Sequence, residues 1–219
     1  MGHLIILGDL FDFLFGFKSS FLKKKNFVFS DYLPILEALK KLYHQGIHIQ
    51  YYEGNHDFFL NSFFSEQFGI DVEVHPHGGE EQLGGKKAFL AHGDLCNPGE
   101  WKYLVFRRIL KNRWTYSLMH VAGPRLSRQV ARWLSQQSYK KYHSDSRSHP
   151  LPVFREFAHQ KFLEGFQIVL LGHSHVPEEW RERIDGREYA YFNVGDWMTH
   201  RSFLRFTPPD QFQLSRFQS

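Results

Sequence analysis

The sequence predicts an α/β fold, and three observations carry that prediction. Short apolar runs of four to six residues recur along the chain and stop at a glycine or histidine, at Leu4–Leu7, Ile47–Tyr52, Ala88–Ala91 and Ile168–Leu171; such runs read as buried strands. A helical pattern separates the first two, which makes a β-α-β unit. The last forty residues alternate strand-like segments with turn signals. The length of 219 residues suits one domain with a substantial core, residues 1–219 being read as a single unit carrying an insert at 98–148.

Taken in order, strand Leu4–Leu7 leads into an aromatic loop, Asp12–Asn26, that ends in Lys23-Lys24-Lys25. Ser30 is a plausible N-cap for a helix whose apolar positions include Leu36, Leu39, Leu42 and Tyr43, closed by Gly46. Strand Ile47–Tyr52 follows, then a short helix over Phe58–Gln67 and a strand near Val72–His75. Turns at Gly78-Gly79 and Gly84-Gly85 precede strand Lys87–Ala91. After the insert, Pro150 and Pro152 stand before a helix over Phe154–Gly165 and a strand, Phe166–Leu171. The tail reads as strands Glu179–Ile184, Glu188–Val194, Phe203–Phe206 and Phe212–Phe217, with Asp185-Gly186 a hairpin signal between the first two.

Composition narrows the class. Hydrophobic content of 42% with 23% charged residues is ordinary for a globular protein, which excludes a disordered chain. The single cysteine, Cys96, excludes an internal disulfide, fits a reducing compartment and reads as a bystander thiol. No apolar stretch reaches the ~20 residues needed to span a bilayer, and no leader precedes the first strand, so a cytoplasmic protein is expected.

Net charge is only +4, but its distribution is uneven. From Trp101 to Tyr142 there is no Asp or Glu, while Lys102, Arg107, Arg108, Lys111, Arg113, Arg125, Arg128, Arg132, Lys140 and Lys141 all fall there. Apolar residues interleave at helical spacing, and Gly123-Pro124 divides the segment in two. A basic amphipathic helix pair with tryptophans suits an anionic membrane surface or an anionic amphiphile; nucleic acid is the competing ligand for such a pattern.

Four polar blocks sit where the apolar runs end: Gly8-Asp9-Leu10-Phe11-Asp12, Gly54-Asn55-His56-Asp57, His92-Gly93-Asp94 and Gly172-His173-Ser174-His175. Loops at strand ends are where α/β sheets place ligands. Asp, Asn and several His there form a donor set for Mn, Fe or Zn rather than for a thiolate site. A carboxylate such as Asp9 can bridge two cations ~3.5–4 Å apart. Asp12 reads either as an acceptor that orients a ligand or as a turn residue.

The order GDxFD, GNHD, HGD, GHSH resembles that of the calcineurin-like metallophosphoesterase superfamily over nearly the whole chain. The long segment between His92 and Gly172, and the late Asn193-Val194-Gly195-Asp196-Trp197, resemble the UDP-2,3-diacylglucosamine diphosphatase branch, which acts in lipid A assembly. The resemblance implies a four-layer α/β/β/α sandwich with the basic insert as a helical cap. It implies two divalent cations, expected to be manganese, with Asp9, Asn55, His92 and His173 in one site and His175 in the other, Asp9 being shared. His56 would protonate the leaving oxygen or stabilise charge on the phosphoryl group, a task histidine suits by its near-neutral pKa, and Asp57 would hold its ring. Asn55 and His173 would also meet the substrate. Glu100, Ser138, Lys140 and Lys141 are candidate contacts to sugar or diphosphate, with solvent-facing roles as the alternative. Trp197 and Asp196 would support the loops around the site.

Two departures qualify this pattern. The family opens on a strand ending in Asp-x-His, and no Asp-x-His precedes Asp9 here, so weak binding of one cation and low activity of this chain are expected. The related diacylglucosamine enzymes often carry Arg where this chain has His56. The function implied is hydrolysis of the diphosphate of UDP-2,3-diacylglucosamine to UMP and 2,3-diacylglucosamine 1-phosphate, by in-line attack on phosphorus, at the inner face of a Gram-negative inner membrane. The rivals are another phosphodiesterase or nuclease of the superfamily and a non-catalytic scaffold.

Overall fold

A computed structural model describes residues 2–16, 30–122, 129 and 151–218. The chain is mixed α/β and forms several sheets. It divides into two compact units, one of Met1–Pro76 with Glu100–Arg147, the other of His77–Gly99 with Ser148–Ser219.

The first unit is built on a parallel sheet of order β1-β3-β5, with β1 at His3–Ile6, β3 at His48–Tyr52 and β5 at Glu73–His75. Side chains alternate between its faces. Leu4, Ile6, Ile49, Tyr51 and Val74 enter one core with Leu36, Leu39 and Leu42 of helix α1, Leu33–His44. Their spacing puts these three leucines on one helical face, which is why this stretch forms an amphipathic helix. The predicted N-cap is corrected: Ser30 belongs to a 3-10 turn, Ser30–Tyr32, and Tyr32 occupies the cap with no side-chain bond. Pro34, in the first turn, starts the helix instead through its fixed φ. The helix ends before Gly46, whose φ of 81° no L side chain adopts readily.

Two short strands were not legible in the sequence. β2, Leu14–Phe15, pairs in parallel with β4, Asp57–Phe58, and Leu14 N donates to His56 O at 2.8 Å. Two residues are too few to show a period, and both lie in segments that read as loop and helix. The helix expected from Phe58 therefore begins only at Phe63 (α2, Phe63–Phe68) and stops at Gly69 in the left-handed conformation.

The basic insert is helical where described. Helix α3, Trp101–Leu110, is followed at Lys111-Asn112 by a break and then by α4, residues 113–122. Asn112 Oδ1 accepts from Trp114 N at 2.9 Å and so caps α4. This break was not expected; Gly123-Pro124, where one was, lies outside the described residues, as do Lys23, Lys24, Lys25, Arg125, Arg128 and Arg132. Not all of the insert's basic residues face outward, because Arg107 is buried and Lys111 pairs inward with Glu53.

The second unit holds a five-stranded sheet of order β6-β7-β8-β10-β9. Strands β7, Lys86–Leu90, β8, Ile168–Leu171, and β10, Arg187–Val194, run parallel, while β6, Gly79–Leu83, and β9, Pro177–Ile184, flank them antiparallel. β8 is buried throughout, as its unbroken apolar run requires. Val169, Leu171 and Tyr191 pack against Phe154, Ala158 and Phe162 of α5, Leu151–Leu163, and Cys96 joins that core as an inert thiol. α5 begins before Phe154 because Pro152 is tolerated in a first turn. β6 escaped notice because Gly-Glu-Glu-Gln-Leu buries only its last residue. Asp185 and Gly186, with φ of 49° and 77°, form the expected two-residue hairpin. A second hairpin joins β11, Ser202–Thr207, to β12, Gln211–Arg216.

Candidate functional site

In the first unit the two glycine-led loops are knitted together by one carboxylate. Asp57 Oδ1 accepts from Gly54 N at 2.7 Å, and its Oδ2 accepts from Leu10 N at 3.1 Å and from the hydroxyl of Tyr51. Asp57 and Tyr51 are both fully buried, so these bonds are made away from competing water. Burial, followed by the adjacent Asp57 charge, pushes the Tyr51 phenol well above its ordinary value, so it stays a donor.

Asp9 stands in the left-handed region, with φ 53°, directly after Gly8. Its Oδ1 accepts from His56 N at 2.9 Å. A Cβ on Gly54 would run into this same oxygen and into Asp9 N, so Gly54 is what lets the two loops approach. Asn55 lies between, half-buried, beside the Asp9 carboxylate's hydrogen-bond partner.

His56 is oriented differently from expectation. Its Nδ1 lies 2.7 Å from the carbonyl oxygen of Asp12. A carbonyl only accepts, so Nδ1 carries the proton and Nε2 is the nitrogen left for chemistry. The Asp57 carboxylate, expected to hold this ring, is instead engaged by Tyr51, Gly54 N and Leu10 N. The group that orients the His56 ring is thus the backbone carbonyl of Asp12.

In the second unit, His92 follows strand β7 and His173 follows β8, neighbours in the sheet. His92 Nε2 and His173 Nδ1 are 3.1 Å apart, with ring planes at 75°. Two imidazole nitrogens each ~2.0–2.1 Å from one cation come about this close when they are adjacent ligands, so the pair fits a divalent metal. Gly93, at φ 110°, keeps the loop flat against Gly172 and His173. His173 and His175 both take left-handed backbone, at φ 64° and 60°, so they leave the alternation of the strand and turn independently. His175 is half-exposed, with Nδ1 3.8 Å from Asp196 Oδ2. The Asp196 carboxyl is partly buried, which by itself would raise it, yet the backbone N–H groups of His200 and Thr199 hold it below its ordinary value. Trp197 is exposed and lies against Phe217.

Three positioning groups had no role in the sequence reading. Tyr51 and Glu53 gave no signal, since the first alternates with the core like any strand residue. Asn193 is completely buried, donates to Gly172 O at 2.7 Å and accepts from Gly195 N at 3.1 Å, bracing the turn that carries His173. An amide at the end of the otherwise apolar Tyr191-Phe192-Asn193-Val194 was a usable sign of that role. Glu100 stands exposed at the N-cap of α3 without a side-chain cap bond. Ser138, Lys140 and Lys141 lie outside the described residues. Asp9, Asn55, His56 and Glu100 thus belong to the first unit, and His92, His173 and His175 to the second.

No family model matches the chain. Among curated proteins it is 32% identical over 220 residues to UDP-2,3-diacylglucosamine hydrolase of Tolumonas auensis, covering 95% of this chain and 81% of that protein. It is 27% identical to the protein of the same name from Aeromonas salmonicida, over 95% of this chain and 78% of that one. The likeness to that of Haemophilus influenzae is 26%, over 96% and 83%.

Proposed function

Because this chain belongs to the UDP-2,3-diacylglucosamine hydrolase family of calcineurin-like metallophosphoesterases, we propose that it hydrolyses the diphosphate of UDP-2,3-diacylglucosamine to UMP and 2,3-diacylglucosamine 1-phosphate in the lipid A pathway. The observation that carries this reading is 32% identity over 95% of the chain to a hydrolase of that name. The ring-nitrogen pair of His92 and His173, 3.1 Å apart, supports its metal dependence.

In this reading Asp9, Asn55, His92, His173 and His175 hold two divalent cations, with manganese the expected ion. Such cations supply Lewis acidity at the phosphoryl oxygens and generate the nucleophile at neutral pH. The chain's own groups do the remaining work. His56, its Nδ1 proton committed to the Asp12 carbonyl, acts from its imidazolium form, whose Nε2–H donates a proton to the leaving oxygen or a hydrogen bond to the phosphoryl group. Asn55 and His173 also contact the diphosphate, and Glu100, Ser138, Lys140 and Lys141 take the sugar and nucleotide side. The family reading also carries the α/β/β/α sandwich, the helical cap and a single domain over 1–219.

The acyl chains have a candidate contact. Helices α3 and α4 turn Trp101, Val105, Ile109, Trp114, Leu118 and Val121 outward, with Trp114 80% and Val121 87% exposed. Ringed by basic side chains, this face suits an anionic amphiphile or the surface of an anionic membrane, which supports the reading of an enzyme working at the inner face of the inner membrane. No described helix is long and apolar enough to cross a membrane.

The test is UMP release from UDP-2,3-diacylglucosamine by the purified chain, with manganese present or chelated, beside His56→Ala. Manganese-dependent release that the variant loses is the expected result. Equal hydrolysis of simple phosphodiesters, without preference for acyl chains, would replace this reading by a general phosphodiesterase; no hydrolysis of either would sink the catalytic reading of this chain.

A further inference from the structure

Glu53 is the residue between strand β3 and Gly54-Asn55-His56. Its side chain is only 3% exposed, and its backbone N–H and both carboxylate oxygens are engaged. The backbone N–H donates to His75 O at 2.9 Å, which fixes the strand end against β5. Oε1 accepts from Leu60 N at 2.7 Å, so one carboxylate closes the 53–60 loop at both of its ends. Oε2 accepts from Lys111 Nζ at 3.2 Å, and that ammonium is 8% exposed. Lys111 comes from the junction of α3 and α4.

A buried carboxylate with one oxygen on a loop amide keeps its orientation only while its charge is matched. The arrangement of α3 is unusual for an amphipathic helix, since Arg107 and Lys111, four residues apart, point inward while Trp101, Val105 and Ile109 point out. Inward cations on a surface helix need a reason, and the Glu53 carboxylate supplies it for Lys111.

We infer that Glu53 and Lys111 form a positioning pair for the loop that carries Asn55 and His56, tying its geometry to the α3–α4 junction. Neither residue touches the reacting atoms. The inference rests on the reading of Asn55 and His56 as site residues. Its physical content is that Lys111 holds the Glu53 carboxylate, the carboxylate holds Leu60 N, and the closed loop fixes where His56 Nε2 points.

The decisive variant is the double exchange Glu53→Gln with Lys111→Met, because it leaves no unmatched charge and keeps an amide oxygen for Leu60 N. Single Lys111→Met and Glu53→Gln chains accompany it, with circular dichroism and thermal melting to establish folding. At saturating manganese, kcat on UDP-2,3-diacylglucosamine is expected to fall at least about tenfold in the double variant with KM little changed, since misplacement by an ångström can cost ~10²-fold. The second readout needs no activity: in ¹H–¹³C spectra of the imidazoles, with His56 assigned by its loss in His56→Gln, the His56 signal should shift or broaden. A folded double variant with the wild-type His56 signal would overturn the inference, whatever its melting temperature. If the wild-type chain itself fails to release UMP, the substrate assignment falls while the spectra still decide this inference.

Discussion

In the proposed reaction, His56 is the residue on which most chemistry converges. With Nδ1 bonded to the Asp12 carbonyl, its free nitrogen is settled by geometry rather than by a neighbouring charge. His56→Ala should lower kcat by about 10²–10⁴-fold, the usual weight of a positioned acid or base, while His56 N–H still reaches Asp9 through the backbone and metal binding persists. A titration of manganese by isothermal calorimetry alongside the rate assay separates the two. Gly54 makes a sharper steric test. Gly54→Ala puts a Cβ onto the Asp9 carboxylate and amide, so activity should fall by about 10²-fold through displacement of Asp9, with a loss of manganese affinity in the same calorimetric titration. Asp9, Asn55, His56, His92, His173 and His175 drew notice in the sequence because each stands just past an apolar run. Their supports did not: Asp57 was assigned to His56, yet Tyr51, Gly54 N and Leu10 N claim it, and such choices are made by three-dimensional neighbours that local spacing does not reveal.

At the scale of elements, strands and helices with a pattern of several residues were readable, and those of two residues or with a polar run were missed. β3, β7, β8 and α1 announce themselves by pattern, whereas β2 and β4 hold two residues each and β6 buries one. The insert gave its helical character and its charge, but not the direction of that charge. Breaking the buried Glu53–Lys111 pair from one side, as in Lys111→Met, should destabilise the chain by about 3–5 kcal/mol, and removing both charges should cost much less; urea midpoints of the three variants measure it. The exposed side of α3 and α4 should behave oppositely. Trp114→Glu and Val121→Glu are expected to change stability by within about 0.5 kcal/mol, yet to weaken cosedimentation with vesicles containing anionic lipid. Unchanged sedimentation would remove this face from the membrane reading.

For the whole molecule, the two units share one alkaline weakness. Burial, the largest cause in both, holds the phenols of Tyr51 in the first and Tyr191 in the second above the ordinary tyrosine value of 10.0. In the folded chain they keep their protons where the unfolded chain begins to lose them, so the stability they lend is complete below pH 10 and declines as pH rises beyond it. The urea midpoint should therefore hold through neutral pH and fall above that value, and Tyr191→Phe should flatten the fall. Cys96, whose thiol is also pushed up, chiefly by burial, adds a decline that begins above its own ordinary value of 9.0.

Asp9, His173 and His175 all occupy left-handed backbone that glycine would adopt without strain. A gene library selected only for resistance to heat would drift toward glycine at His175, relieving backbone strain of about 1–2 kcal/mol, whereas at Asp9 and His173 the lost contacts to His56 N and His92 offset that relief. Selected for turnover, the same library would keep all three residues. The loops of the proposed ligands are thus places where heredity must choose between durability and chemistry, and His175→Gly, scored for both melting temperature and UMP release, would show the two traits moving apart.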